Sequence, residues 1–405
     1  MKVAVLGYGT VGSGVVEVLT TNSESIKKKA GTSLEVKYIL DLKDFNDHPL
    51  QDKFVKDINI ILNDEEIDIV AEAMGGTNPA YTFVKEVLLR GKSVVTSNKE
   101  LVAAYGPELL ELAKINNCNF LFEASVGGGI PVIRPLNSAL TADEIYEITG
   151  ILNGTTNFIL TKMKSEGRSF QDVLKEAQDL GYAERNPEAD VEGYDACRKI
   201  AILGSLALGE HVDYKEVYTK GITTITKEDM DYATKLGYSI KLLGSCKKTE
   251  DGIYASVQPI MIPNTHPLAT VSDVFNAVLV KGNMVGDVMF YGRGAGKLPT
   301  ASAVVADIID AAKHKDTNIM CFWSREKVGL EAYESCKGSY FIRIKGNALT
   351  NEQLVQESFG KVTPVVPLKE DEYVFITNKE PIHVLESKIG NLKDVEVLSK
   401  ICIEQ

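Results

Sequence analysis

Histidine is scarce in this sequence. Its five residues, His48, His211, His266, His314 and His383, stand far apart and in no acid/base motif. A histidine proton relay therefore has no support, and a surface or structural role is the plain reading of each. Cysteine is as thin. Cys118, Cys197, Cys246, Cys321, Cys336 and Cys402 are scattered and form no Cys-x-x-Cys pair, which argues against a zinc site or a disulfide scaffold and fits reduced cytosolic thiols. No apolar run reaches the roughly 18 residues of a membrane span, no cleavage-site pattern follows Met1, and no low-complexity tract interrupts the chain. A cytoplasmic protein with no membrane partner is expected. Positive charge is outweighed, 44 Lys and Arg against 56 Asp and Glu for a net −12. That field repels phosphate backbones, argues against sequence-independent nucleic-acid binding, and suits a small polar metabolite as partner.

What is present is ordinary globular material, 44% hydrophobic and 25% charged over 405 residues. That length suits two or three domains, because single cores stop growing near roughly 250 to 300 residues. The first third alternates β-rich runs (3–6, 35–40, 68–72, 93–96, 120–123) with segments of three- and four-residue apolar spacing (10–20, 79–90, 107–116), the pattern of a doubly wound parallel α/β sheet. From about Gly127 the character changes to a glycine-rich turn, a strand at 145–152 and helices at 170–180 and 195–208, a mixed α+β domain. A glycine turn at 292–296 and a small-residue helix at 300–312 predict a return to the first domain. The tail reads as βαββαβ, with strands at 340–345, 372–377 and 396–403 and helices at 351–359 and 381–389. The expected division is 1–130 plus about 292–318 for a dinucleotide, 131–291 for substrate and association, and 338–405 for the tail.

Gly7-Tyr8-Gly9-Thr10-Val11-Gly12 has G-x-G-x-x-G spacing between a strand and a helix. Gly7 permits the tight turn, Gly9 lets backbone approach a pyrophosphate, Gly12 lets helix pack on strand, and the helix N-terminus supplies N–H donors. A glycine turn serving packing alone is the bland alternative. At the end of the second strand stands Asp41, with no arginine beside it. A carboxylate there hydrogen-bonds a ribose 2′-OH, so the sequence leans toward NAD over NADP. A solvated turn residue is the competing reading, and Lys43 could still meet a phosphate.

Without a histidine acid, a lysine of lowered pKa can move the proton of a dehydrogenation. Lys99 follows the strand at 93–96, whose carboxyl end faces a ligand crevice. Lys199 lies four residues after Asp195, on the same helical face, a spacing equally common in plain surface pairs. Around it, Ala177, Gly181, Tyr182, Ala183, Glu184, Asn186, Pro187, Asp190, Val191, Gly193, Asp195 and Lys199 fall at the positions of the homoserine dehydrogenase signature without a gap. The chain therefore resembles that family, and the likeness extends to Gly7–Gly12, Thr96–Lys99, the Glu123-Ala-Ser-Val-Gly-Gly-Gly-Ile-Pro131 loop, Gly150–Phe158 and Gly292–Gly296.

The resemblance implies NAD(P)-dependent interconversion of L-aspartate 4-semialdehyde and L-homoserine, in threonine, methionine and isoleucine biosynthesis. It implies Lys199 as proton donor, Asp195 orienting it, and Lys99 polarising the reacting oxygen. Glu184 and Asp190, expected as two buried carboxylates, would receive the substrate ammonium, with Gly154, Thr155 and Tyr182 about the rest of the substrate. The cofactor set is Gly7, Gly9, Thr10, Val11, Gly12, Asp41, Gly75, Thr96, Ser97, Lys99 and Gly294. A monovalent cation, Na+, would be held by oxygens of Glu123, Val126, Gly128 and Ile130, where a hinge turn is the bland reading. A homodimer or homotetramer is expected by analogy.

The tail resembles an ACT domain over about 340–403. Its Lys345-Gly346-Asn347-Ala348-Leu349 stretch departs from the usual Asp-x-Pro-Gly ligand turn, leaving two readings open, a threonine effector site or a module for subunit association. Two other functions compete. A semialdehyde-type, aldehyde-forming dehydrogenase needs a cysteine nucleophile near a histidine, and neither Cys118 nor Cys197 has one nearby in sequence. A non-catalytic nucleotide or amino-acid sensor would bind cofactor without turnover.

Overall fold

The computed structural model describes residues 1–250, 252–392 and 395–404. They group into two units, one of Met1–Ile148, Ala201–Lys215 and Asn276–Val328, the other of Thr149–Ile200, Glu216–Phe275 and the described residues from Gly329 onward.

The first unit is built on six parallel strands in the order Phe54–Val55, Glu35–Leu40, Lys2–Leu6, Ile67–Glu72, Ser93–Thr96, Phe120–Leu121. The central strands are buried almost throughout, as covering both faces of a parallel sheet requires. One face is covered by Thr10–Thr21, which buries Val15, Val16 and Leu19, side chains worth roughly 1.5–3 kcal/mol each on removal from water. Against that helix lies Lys297–Lys313, from far down the chain. A Cβ on Gly14 would come within 2.9 Å of the Ala301 Cβ, so the small residues set how closely the two approach. Val3, Val5, Val15, Ala301, Val304 and Ile308 share one core.

Two local expectations change. The strand expected over 120–123 stops at Leu121 and gives way to a 3-10 turn, Glu123–Ser125, because the Glu123 N–H bonds the Asp307 carboxylate at 2.8 Å instead of continuing the ladder. The helix expected from Pro107 begins at Lys99 and carries Pro107 in its interior. Proline favours a first helical position, but the cap here is Asn98, whose side chain accepts from the Leu101 N–H at 3.1 Å. Lys99 thus sits in a helical first turn.

In the second unit a long antiparallel pair, Tyr238–Lys248 and Ile253–Pro263, is followed in the sheet by Val397–Ile403, Lys337–Lys345, Glu372–Ile376 and Thr363–Val365. The tail has βαββαβ order with helices Ala348–Phe359 and Ile382–Gly390 and one added two-residue strand, Glu380–Pro381, before the second helix; Thr363–Val365 and Glu380–Pro381 are the strands unmarked in the sequence reading. Its sheet does not stand alone, since Ile260 pairs with Cys402 and Met261 with Ile403 in parallel register. Tyr340, Ile342, Ile344, Phe359, Phe375 and Leu385 form its core. Arg343 is buried, and its guanidinium meets Glu372 at 2.9 Å and Asp229 at 3.2 Å, a pairing that a buried charge requires. No described helix is long and apolar enough to cross a membrane.

Candidate active site

In the first unit, four neighbouring strands end at one edge of the sheet, and their carboxyl ends carry the glycine turn, Asp41, Gly75 and Thr96–Lys99. That edge is where parallel sheets bind ligands. Gly7 adopts a φ of +91°. A Cβ on Gly12 would stand 1.8 Å from the Gly7 carbonyl oxygen, whereas one on Gly9 would meet nothing within 4 Å. The turn is therefore closed on its packing side and open at Gly9 and Thr10, both exposed, with Val11 half-buried. Gly9 caps the Thr10–Thr21 helix without any side-chain bond to its N-terminal N–H groups, so the turn fits a pyrophosphate. Asp41 is held in place: its carboxylate accepts from the Tyr8 N–H at 2.8 Å and the Lys43 N–H at 2.9 Å.

Two residues of the expected cofactor set are placed for packing instead. Thr96 is sealed from the surface, and its hydroxyl donates to Glu72 at 2.5 Å and accepts from the Asn98 N–H at 2.9 Å. It shapes the turn and has no surface to offer a ligand. Gly294 is likewise buried. A Cβ there would come within 2.1 Å of the Asn276 amide, and one on Gly128 within 2.4 Å of the Gly294 oxygen, so glycine answers to a close meeting of two turns. Gly75 is exposed, and Ser97 and Lys99 are half-buried. Glu72 is one residue that sequence reasoning missed. Its carboxylate, pushed up in pKa by burial, accepts from Thr96 and from the Met74 and Gly75 N–H groups at 2.8 and 3.4 Å. A carboxylate closing a strand beside Gly-Gly was the available signal.

In the second unit, the helix Tyr194–Leu208 presents Asp195 and Lys199 one turn apart. The Lys199 ammonium donates to Asp195 at 2.7 Å and to the Leu152 carbonyl at 2.9 Å, and both side chains are nearly enclosed. Asn153 joins the group, donating through Nδ2 to Asp190 at 2.7 Å and Asp195 at 2.9 Å while its Oδ1 accepts from the Thr156 N–H. One asparagine thus caps the Gly154–Glu166 helix and ties both aspartates to it. It was missed because an asparagine before a helix reads as a cap and nothing more. Thr155, the second residue of that helix, donates its hydroxyl to the Tyr182 carbonyl at 2.6 Å, and the exposed Tyr182 ring meets Phe158 edge-on.

The expectation of two buried carboxylates for the ammonium is corrected. Asp190 is half-buried and Glu184 exposed, because residues 181–187 turn over the surface after a left-handed Gly181; Glu184 is tethered there through its carbonyl, which accepts from Gln178 at 3.1 Å.

The loop proposed for a cation is buried at Glu123, Val126, Gly128 and Ile130. The Glu123 carboxylate accepts from the N–H groups of Val132, Ile133 and Arg134 at 2.6, 2.8 and 2.7 Å. It therefore already serves as the anion at a short helix's start, and the donor set that fits an ion reduces to backbone carbonyls. Among the described residues no group of three or more His, Cys, Asp or Glu side chains could hold a metal.

Residues 131–309 match the family model described as Homoserine dehydrogenase, and residues 7–123 the one described as Homoserine dehydrogenase, NAD binding domain. The chain is 38% identical to a homoserine dehydrogenase of Bacillus subtilis over 99% of its length and 96% of the relative's. A solved homoserine dehydrogenase from Thiobacillus denitrificans superposes with a TM-score of 0.91 at 36% identity, covering 100% of this chain and 98% of that one. A hyperthermophilic archaeal homoserine dehydrogenase solved in complex with NADPH matches with a TM-score of 0.66 at 30% identity over 76% of this chain and 97% of its own.

Proposed function

Because the chain belongs to the homoserine dehydrogenase family, we propose that it interconverts L-homoserine and L-aspartate 4-semialdehyde with Lys199 as the proton donor. The observation that carries this reading is the enclosed Lys199–Asp195–Asn153 group, an ammonium fixed in one direction by a carboxylate and a carbonyl. The nicotinamide cofactor supplies or takes the hydride. In reduction, Lys199 Nζ delivers its proton to the carbonyl oxygen as negative charge develops there, and in oxidation the neutral amine takes that proton from the alcohol. Asp195 holds Nζ in position, and Lys99 polarises the oxygen. Asp190 and Glu184 receive the substrate ammonium. The carboxylate end goes to Thr155 and the backbone at Gly154, where a helix N-terminus favours an anion. Gly7, Gly9, Thr10, Val11 and Gly12 would hold the cofactor pyrophosphate, and Gly75, Ser97 and Lys99 its nicotinamide end.

The fixed Asp41 carboxylate supports NAD over NADP, since a 2′-phosphate would meet its charge. A monovalent cation, if bound, takes the carbonyls of Val126, Gly128 and Ile130 and orders that turn without chemistry. For the ACT-like tail, the continuity of its sheet with Ile253–Pro263 supports a structural and associating role over threonine sensing. Self-association as a homodimer or homotetramer is supported by the strand Gly286–Arg293, which turns Met289 and Tyr291 to solvent with Met284 beside it. We place the reaction in the cytoplasm, in keeping with six free cysteines.

A steady-state assay tests the whole reading: both substrates, each with NAD(H) and NADP(H), with and without saturating threonine. The expected result is turnover of both, a kcat/KM at least about tenfold higher with NAD(H), and a rate that threonine leaves unchanged. Absence of turnover despite cofactor binding would return the sensor, which has no support among the relatives, to consideration.

The cysteine-nucleophile alternative loses ground on chemistry. Burial pushes the Cys118 thiol up to about 11, where it holds almost no thiolate at neutral pH. Cys118→Ser and Cys197→Ser are expected to keep kcat/KM within about threefold, and a loss beyond about 100-fold in either would reinstate that mechanism.

A further inference from the structure

Away from the residues assigned above, the second unit holds a cavity of about 300 Å³ whose lining includes Lys164, Lys241 and the hydroxyl residues Thr161, Ser165, Thr234, Ser239 and Ser272. Its chemistry is one-sided, since no carboxylate is among its lining residues. Lys241 is 5% exposed, and its ammonium donates only to neutral oxygens, Asn157 Oδ1 at 3.1 Å and the Val271 carbonyl at 2.5 Å. Asn157 is locked in that orientation, because its amide nitrogen donates to the carbonyls of Val271, Asp273 and Phe275. Lys164 reaches in from the rim to the Ser239 hydroxyl at 2.7 Å, and that hydroxyl donates to Asn264 Oδ1 at 2.8 Å.

Among the described residues, the partners of the two ammonium groups are the neutral oxygens of Asn157, Val271 and Ser239. Lysine is almost never enclosed without a counter-charge. Burial and the charge of Lys164 pull the Lys241 ammonium down to about 8, and the one carboxylate acting on it, Asp273, stands exposed. The hydroxyl hydrogens of Thr161, Thr234, Ser239 and Ser272 already go to the Asn157 carbonyl, the Met230 carbonyl, Asn264 Oδ1 and the Thr270 carbonyl, so the donors the cavity offers an acceptor-rich ligand are its two ammonium groups, with no lining carboxylate beside them.

We propose that this cavity binds a small tetrahedral oxyanion, held between the ammonium groups of Lys241 and Lys164. Phosphate is the shared chemistry, and it could come from the free ion or from the phosphate end of a small metabolite. The site is independent of the dehydrogenase reaction.

Equilibrium dialysis of the full chain against radiolabelled inorganic phosphate tests this, with NAD saturating so that the glycine turn is already filled. One phosphate per chain is expected, bound at least about tenfold more weakly by Lys164→Ala and not measurably by Lys241→Met. Glycerol phosphate as competitor separates the sources: displacement tighter than by free phosphate assigns the site to phosphomonoesters, and weaker displacement assigns it to the free ion. Lys164 is at the surface, so its variant folds and decides the matter even if Lys241→Met does not. No bound phosphate in the parent protein, or equal binding by parent and Lys164→Ala, would overturn the proposal.

Discussion

Replacing Lys199 by alanine lowers kcat/KM for homoserine oxidation by about 10³-fold, roughly 4 kcal/mol of transition-state stabilisation and typical of losing a general acid/base. Cofactor affinity stays within about twofold. The size of the loss follows from how firmly the group is fixed: the ammonium is held at 2.7 Å by Asp195 and 2.9 Å by the Leu152 carbonyl. Removing one partner of an enclosed pair also destabilises, by about 3 kcal/mol or more in unfavourable cases, so a bare loss of activity proves little. Two readouts separate the causes. NADH binding by fluorescence reports the first unit's integrity, and Lys199→Met refills the volume without the proton. If Lys199→Met retains more than about a tenth of the parental kcat while binding cofactor, the proton comes from elsewhere and Lys99 becomes the leading candidate.

The second large effect is on the cofactor. In Gly12→Ala the new methyl would stand 1.8 Å from the Gly7 carbonyl oxygen, a backbone atom fixed by the Gly7 N–H bond to the Leu40 carbonyl at 2.8 Å. No flexible side chain can yield, so the turn must open, with a strain of the order of 1–3 kcal/mol typical of overpacking. The expected outcome is a cofactor Kd raised by about 100-fold, with far-ultraviolet circular dichroism unchanged. Gly9→Ala, whose Cβ would meet nothing within 4 Å in the protein, separates two demands: it folds normally and loses affinity only through its approach to the ligand. Parental affinity in Gly12→Ala would mean the turn does not grip the cofactor.

The legible parts of this molecule were those whose physics is local. Gly7–Gly12 announces itself because a tight turn, a close approach and a helix start must follow one another within six residues. The Asp195–Lys199 pair is visible as one helical turn, although that spacing alone would not have separated it from a surface pair. Asn153 and Glu72 escaped for the opposite reason. Asn153 meets Asp190 and Asp195 only after a strand, a helix and a loop have folded back, and Glu72 meets Thr96 only because parallel pairing sets two strand ends side by side. The Tyr238–Lys248 and Ile253–Pro263 strands were also unread. Their eight consecutive buried positions each lack the in-and-out alternation that marks a half-exposed strand. Pro107 misled by a rule true on average and overridden here by a better cap, Asn98, nine residues earlier.

The placement of Lys297–Lys313 against Thr10–Thr21 carries a consequence for synthesis. As the chain leaves the ribosome, the first five strands of the parallel sheet are complete by Thr96, but Val15, Val16 and Leu19 lack the face contributed by Ala301, Val304 and Ile308. At elongation speeds of about 5–20 residues per second the intervening stretch takes roughly 10 to 40 s. For that interval the nucleotide-binding half is translated yet unfinished, its sheet covered on one side only in part. Each chain thus gains its cofactor pocket late, and a message broken before codon 301 yields no partial dehydrogenase, only a fragment for the proteases.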